Sequence, residues 1–295
     1  MDLEEILAIA RSVGWGAAEI LQSYYHSPNS ESALDLDIQE QVDGPVTAAD
    51  VATNRYILGR LQTELGTENF GYLSEETYKS QPTDVPVANP LVWIIDPLDG
   101  TRDFIERTGE YAVHIALVYE DRPILAVVVW PETGKLYYAM RNGGAFVETQ
   151  TALGEMDTFA LKVSERDRLE DFSVVVSRSH RNRRLNHLLQ QLPCQKQQAV
   201  GSVGCKIATL VEQQADVYIS LSGKSAPKDW DFAAPELILT EAGGKLTHLD
   251  GTSLKYNQGD VNQWGGLVAS NGHCHESLCT QAEKILAELD KTGGD

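Results

Sequence analysis

The chain has 295 residues, a formal net charge of −19 and four cysteines. That length allows one large domain or two of ordinary size, and the acidity excludes a broad nucleic-acid or anionic-membrane surface, because either demands a basic patch. No apolar run is long enough to cross a bilayer, no basic and apolar leader opens the chain, and the cysteines are too sparse for a disulfide framework, so the expectation is a cytoplasmic protein with reduced thiols.

Leu3, Ile6, Leu7, Ala10, Val13, Ala17, Ile20 and Leu21 recur at helical spacing and predict an opening amphipathic helix. Leu34, Leu36 and Ile38 alternate and predict a short strand ending before Asp43 and Gly44. Thr47 is placed to cap a second helix carrying Val51, Ile57, Leu58, Leu61 and Leu65. Phe70 to Leu73 predicts a strand running into Ser74, Glu75 and Glu76, and a proline-rich loop spans Gln81 to Pro90. Leu91 to Ile95 predicts a buried strand that delivers the chain directly into Asp96, Asp99 and Asp103. The stretches AVHIALVYEDRPILAVVVW and KLYYAMRNGGAF predict hairpins, with turns at Asp121 to Pro123 and Asn142 to Gly144. From about Leu161 the segments SVVVSRS, RLNHLLQQL, KIATLVEQQ, DVYISL, APELILTEAGG, GLVAS and SLCTQAEKILAEL alternate strand and helix, predicting a second α/β unit. The boundary is set near residue 158, giving an antiparallel-rich α+β domain over 1–158 and a smaller α/β domain over 159–295.

The acidic residues sort by position. Glu75 and Glu76 follow one predicted strand, Asp96 and Asp99 follow another, and Asp231 opens a helix in KDWDFAAPE. Strand ends are where functional groups converge in layered sheets. Carboxylates gathered there repel one another unless cations sit between them. A set of oxygen ligands without His or Cys suits Mg²⁺ rather than Zn²⁺. Pro97 forces a turn after Asp96, so the Leu98 carbonyl can face the side of both carboxylates. Gly100 and Thr101 would head a short helix whose free N–H groups accept a phosphate. The duller readings are loop punctuation for Asp96 and Asp99, a helix cap for Asp231 and a solvated neighbour for Glu76. The stretch RSHRNRR is the main basic patch and reads as facing an anionic group of the substrate, the duller readings being a solvated helix face and a surface histidine at His180. HCHESLC offers zinc-type residues without the paired spacing of a structural site.

LSEE, WIIDPLDGTRDF and WDFAAPELILTEAGG, in this order and spacing, resemble the Mg²⁺-dependent, lithium-sensitive inositol monophosphatase superfamily over nearly the whole chain. The resemblance implies a layered αβαβα fold. Thr101, Arg102, Asp103 and Phe104, where inositol monophosphatases usually read T-x-N-F, are more similar to the CysQ-type 3'(2'),5'-bisphosphate nucleotidase branch. SRSH at Ser177 to His180 and GSVGCK at Gly201 to Lys206 also resemble nucleotidase segments, although Gly204 and Cys205 depart from the commoner pattern.

Carried onto this sequence, the resemblance implies that Glu75, Asp96 and the Leu98 carbonyl hold one Mg²⁺ and that Asp96, Asp99 and Asp231 hold a second. A third, looser ion would lean on Glu75 through water. Thr101 would hydrogen-bond Asp50, and that pair, with Glu75, would activate the attacking water. Asp99, Gly100, Thr101, Ser177, His180, Gly201, Ser202, Lys206 and Asp231 would contact the substrate. The implied reaction is hydrolysis of the 3'-phosphate of adenosine 3',5'-bisphosphate (PAP), with the sulfated form PAPS as an alternative substrate. Inositol monophosphate or fructose 1,6-bisphosphate hydrolysis, and a catalytically silent regulatory homologue, are the rival readings. The expected partner is a small phosphate ester, with no nucleic acid polymer and no integral membrane association, in a monomer or homodimer.

Overall fold

The computed structural model describes residues 2–27, 36–41, 44–150, 154–179, 181–194 and 196–291. Helix α1 (Leu3–Tyr25) starts at Asp2, whose carboxylate accepts from the Glu5 amide at 2.9 Å, and its buried stripe includes Ile6, Leu7, Ala10, Val13, Ala17 and Leu21. Strands β1 (Gln39–Gln41) and β2 (Gly44–Val46) form a short antiparallel ribbon. The strand expected over Leu34 to Ile38 is displaced. Leu34 lies outside the described residues, and Leu36 and Asp37 form a turn in which Asp37 takes φ 46°. Leu36 instead plugs the core, its carbonyl accepting from the Ala48 amide at 2.8 Å. Thr47 caps α2 (Ala48–Leu65), as the spacing implied.

The next elements are β3 (Gly71–Ser74), α3 (Glu75–Ser80), β4 (Leu91–Asp99), α4 (Thr101–Ile105), β5 (Ala112–Tyr119), β6 (Arg122–Trp130), β7 (Lys135–Met140), β8 (Gly144–Gln150) and β9 (Met156–Ala160). The seven strands form one sheet in sequence order. β3 and β4 run parallel, as a strand–helix–strand unit requires, and the remaining neighbours are antiparallel. The expected boundary at residue 158 falls within β9.

A second, five-stranded sheet follows, in the order β11-β10-β12-β14-β13. Its chain order is β10 (Ser173–Ser177), α5 (Arg183–Gln191), β11 (Lys196–Val200), α6 (Val203–Val211), β12 (Val217–Leu221), α7 (Asp229–Glu241), β13 (Lys245–His248), β14 (Gly266–Ser270) and α8 (His275–Lys291).

Strand periodicity assigns the faces. Trp93 and Ile95 join α1 and α2 in one core, while Val92 and Ile94 join α6 and α7 in another that also takes Val175, Tyr218 and Leu267 from the second sheet. Val174, Val176 and Ile219 face the opposite way, onto α5 and α8. The layers are therefore helix, sheet, helix, sheet, helix, matching the expected αβαβα arrangement. No helix among the described residues is long and apolar enough to cross a membrane.

Candidate active site

The site begins with an irregularity in β4. Pairing with β5 runs Asp96 to His114 and then Asp99 to Ala112, so three steps on β4 oppose two on β5. In a regular strand, residues three apart point to opposite faces. The bulge cancels this and brings Asp96 and Asp99 to one side. Pro97 supplies no N–H to the ladder, and the Leu98 amide donates to Asp96 Oδ1 at 3.0 Å.

Asp231 arrives from the first turn of α7, where its Oδ2 accepts from the Lys228 amide at 2.7 Å. One oxygen from each of Asp96, Asp99 and Asp231 lies within 4.8 Å of the others. Burial, then the charges of Glu75, Asp99 and Asp231, push the Asp96 carboxyl up. Burial and Asp99 do the same to Asp231, against the hydrogen bond from Lys228. Carboxylates held together at such cost fit a hard divalent cation, and the all-oxygen set fits Mg²⁺.

Glu75, the first residue of α3, borders the same crevice but stands outside the group of three, with Lys79 Nζ 2.9 Å from its Oε1 and 3.4 Å from Glu76 Oε1. Burial opposes the charge on Lys79, but the two glutamates outweigh it and hold the ammonium ionised.

Behind the carboxylates stands a relay. Asp50 Oδ2 accepts from the Thr47 amide at 2.7 Å and the Thr47 hydroxyl at 2.6 Å. Its Oδ1 faces the Thr101 hydroxyl at 3.3 Å, which also lies 3.2 Å from the Leu98 carbonyl. Burial drives the Asp50 carboxyl up to about 7, the Thr47 hydrogen bonds pull it back, and Glu76 and Glu75 add to the rise.

Asp99 is anchored on its far side. Its Oδ2 accepts from Ser202 Oγ at 2.6 Å and from the Val203 and Gly204 amides at 2.5 and 3.2 Å, closing the N-terminus of α6. A Cβ at Gly201 would lie 2.5 Å from the Glu110 carbonyl, so only glycine fits there. At Gly204 it would lie 2.4 Å from His114 Nε2, which gives the departure at Gly204 a local cause. Lys206 is buried and donates to the Gly201 and Ser202 carbonyls, so it braces this loop from beneath.

Ser177 borders the crevice at the end of β10. His180 lies outside the described residues. Around it, Arg178 bridges Asp103 at 3.3 Å and Glu110 at 2.6 Å, Arg184 meets Asp290 at 3.0 Å and Arg181 donates to Asn186 Oδ1 at 2.8 Å, with all three arginines exposed. In HCHESLC, His275 is held by Ser270 at 2.7 Å and Thr247 at 2.8 Å, whereas Cys274 turns to the Asp167 carbonyl. Among the described residues, the three aspartates form the one cluster suited to a metal.

Two participants escaped the sequence reading. Lys79 follows Glu75 by four residues, the spacing at which helix side chains meet. His114 is fully buried on β5, with Nδ1 3.2 Å from the Trp230 carbonyl and Nε2 3.3 Å from Asp99 Oδ2. Burial pushes its pKa down, while the neighbouring Asp99 carboxylate and the hydrogen bond to the Trp230 carbonyl pull the other way. The available signal was a polar residue at an inward position of an otherwise apolar strand.

The inositol monophosphatase family pattern matches residues 2–287. The chain is 34% identical over 254 residues to the 3'(2'),5'-bisphosphate nucleotidase CysQ of Salmonella typhimurium, covering 86% of this chain and 93% of that protein. It is similar in structure to CysQ from Bacteroides thetaiotaomicron, with TM-score 0.70, 25% identity and coverage of 91% and 98% of the two chains. An inositol monophosphatase from Anabaena (Nostoc) shares the fold, with TM-score 0.74, 24% identity and coverage of 96% and 97%.

Proposed function

The chain belongs to the inositol monophosphatase family, and we propose that within it this protein hydrolyses the 3'-phosphate of PAP, with PAPS as the alternative substrate, using two or three Mg²⁺ ions. Its relatives named as bisphosphate nucleotidases support the substrate class. Four free cysteines support a cytoplasmic setting. The observation that carries the reading is the meeting of Asp96, Asp99 and Asp231, from segments far apart in sequence, with Asp96 and Asp99 leading straight into the Thr101–Asp50 pair.

Glu75, Asp96, the Leu98 carbonyl, Asp99 and Asp231 would hold the Mg²⁺, which supplies neutralising charge to a phosphomonoester dianion and its leaving oxygen and eases deprotonation of water. The remaining work belongs to the chain. Ionised Asp50 accepts the Thr101 proton on Oδ1, and this turns a Thr101 lone pair toward the crevice. Thr101 can then accept a proton from the attacking water and pass its own to Asp50. A carboxyl near pH 7 is suited to this, since a general base works best when its pKa lies close to the working pH. Thr47 fixes the other Asp50 oxygen, so the base has one orientation. Ser202 spends its hydroxyl on Asp99, and Cys205 is buried with its thiol pushed up, so neither is placed as a nucleophile. Direct attack by water without a covalent intermediate fits these residues.

The test is phosphate release from PAP, PAPS, inositol 1-phosphate and fructose 1,6-bisphosphate with Mg²⁺, with and without Li⁺. The expected result is the highest kcat/KM on a bisphosphate nucleotide. Inositol phosphate turned over as well as PAP would overturn the branch assignment, and background rates on all four would favour the silent homologue.

A further inference from the structure

Resting on the nucleotide reading above, we propose that Arg102 binds the second, non-reacting phosphate of the substrate and sets a preference for bisphosphates over monophosphates. On a chain of net charge −19, every phosphate needs local positive charge. Lys79, Arg102, Lys206 and Lys228 border the crevice, and Arg178 stands beside Asp103 at its edge. Four of the five are committed. Lys79 is paired with Glu75 and Glu76, and Arg178 with Asp103 and Glu110. Lys206 is buried against two carbonyls of its own loop. Lys228 donates to Asn262 Oδ1 at 2.5 Å.

Arg102 differs from all of these. It is exposed, borders the crevice, and its guanidinium has no carboxylate, carbonyl or ring partner among the described residues. Its backbone is nevertheless fixed: α4 is held by fully buried Phe104, whose amide donates to the Gly100 carbonyl at 2.9 Å, and the Glu106 amide donates to the Arg102 carbonyl at 2.8 Å. A rigid root with an uncommitted guanidinium directly after Thr101 is arranged to meet a phosphate one sugar away from the reacting one. The planar fork of arginine suits two phosphate oxygens at once. The basic stretch from Arg178 to Arg184 was the sequence candidate for this task, but Arg178 and Arg184 are engaged by carboxylates.

The experiment is steady-state kinetics with Mg²⁺ for wild type, Arg102→Gln and Arg102→Lys on PAP, adenosine 3'-monophosphate and fructose 1,6-bisphosphate. Arg102→Gln is expected to lower kcat/KM on PAP about tenfold, chiefly through KM, while shifting the monophosphate by less than about threefold, as loss of one charge-assisted contact implies. Arg102→Lys should restore part of the loss. A parallel fall on fructose 1,6-bisphosphate would show that the side chain reads a second phosphate of either source. Equal losses on PAP and the monophosphate, or none on PAP, would overturn the inference. A wild type that hydrolyses fructose 1,6-bisphosphate but neither nucleotide would overturn the nucleotide reading itself, and this inference with it.

Discussion

Replacing Asp50 with Asn tests the relay and gives two readouts of opposite sign. The amide oxygen can still accept from the Thr47 amide and hydroxyl, so the helix cap survives. The amide nitrogen replaces Oδ1 and donates toward Thr101, whose hydroxyl must then turn to the Leu98 carbonyl. No proton can be taken up, and kcat should fall by roughly 10²–10⁴, the usual worth of a general base. Stability should move the other way. A carboxyl shifted from 3.8 to about 7 carries about 4 kcal/mol of added cost when ionised, at about 1.4 kcal/mol per pH unit. Because the folded value is the higher one, the contribution is fully present below about pH 4 and is lost as pH rises to about 7. An uncharged amide in its place suffers no such loss. In urea unfolding with EDTA, Asp50→Asn should therefore gain on wild type between about pH 4 and pH 7, approaching but not exceeding ~4 kcal/mol. Its pH–rate profile should lack the acid limb expected of wild type as Asp50 takes up its proton. A variant within tenfold of the wild-type rate, or one that keeps the acid limb, would refute the assignment of Asp50 as base.

Asp99→Asn keeps an acceptor for Ser202 and the α6 amides but removes a crevice charge, so turnover should vanish with circular dichroism and Tm nearly unchanged; a near-normal rate would contradict its role. His114→Phe preserves ring volume but removes the nitrogens between Asp99 and Trp230, and the affinity for Mn²⁺, read by calorimetry as a proxy for Mg²⁺, should drop about tenfold; an unchanged Kd would limit His114 to packing. Trp93 is fully buried with its Nε1 unpartnered. Trp93→Ala should cost about 3–5 kcal/mol, while Trp93→Phe, which also removes the unsatisfied N–H, should cost far less in the same urea assay.

Much of this arrangement was legible because local rules and tertiary demands agreed. The two apolar runs of β5 and β6 on either side of a turn, the Thr47 cap and the amphipathic spacing of α1 each point to one element, and the structure keeps them. β11 went unseen because, as an edge strand reading KQQAV, it is exposed along most of its length and lacks apolar alternation. The strand expected at Leu36 failed because burial of one leucine and a positive φ at Asp37 outweighed a three-residue pattern. Within the site, carboxylates after strands could be read from the chain, but partners chosen by folding could not. Nothing in RSHRNRR announces that Arg178 will meet Asp103 and Glu110, and nothing beside Arg102 announces that its guanidinium will stay uncommitted.

The shared placement of α6 and α7 has a consequence for how the chain unfolds. Both helices lie in a core that draws on β5 and β6 on one side and on β10, β12 and β13 on the other, so they act as a party wall. Neither half could keep its own interior dry if the other melted. The protein is thus expected to denature in one cooperative step, with the carboxylate crevice and both sheets lost together rather than in sequence.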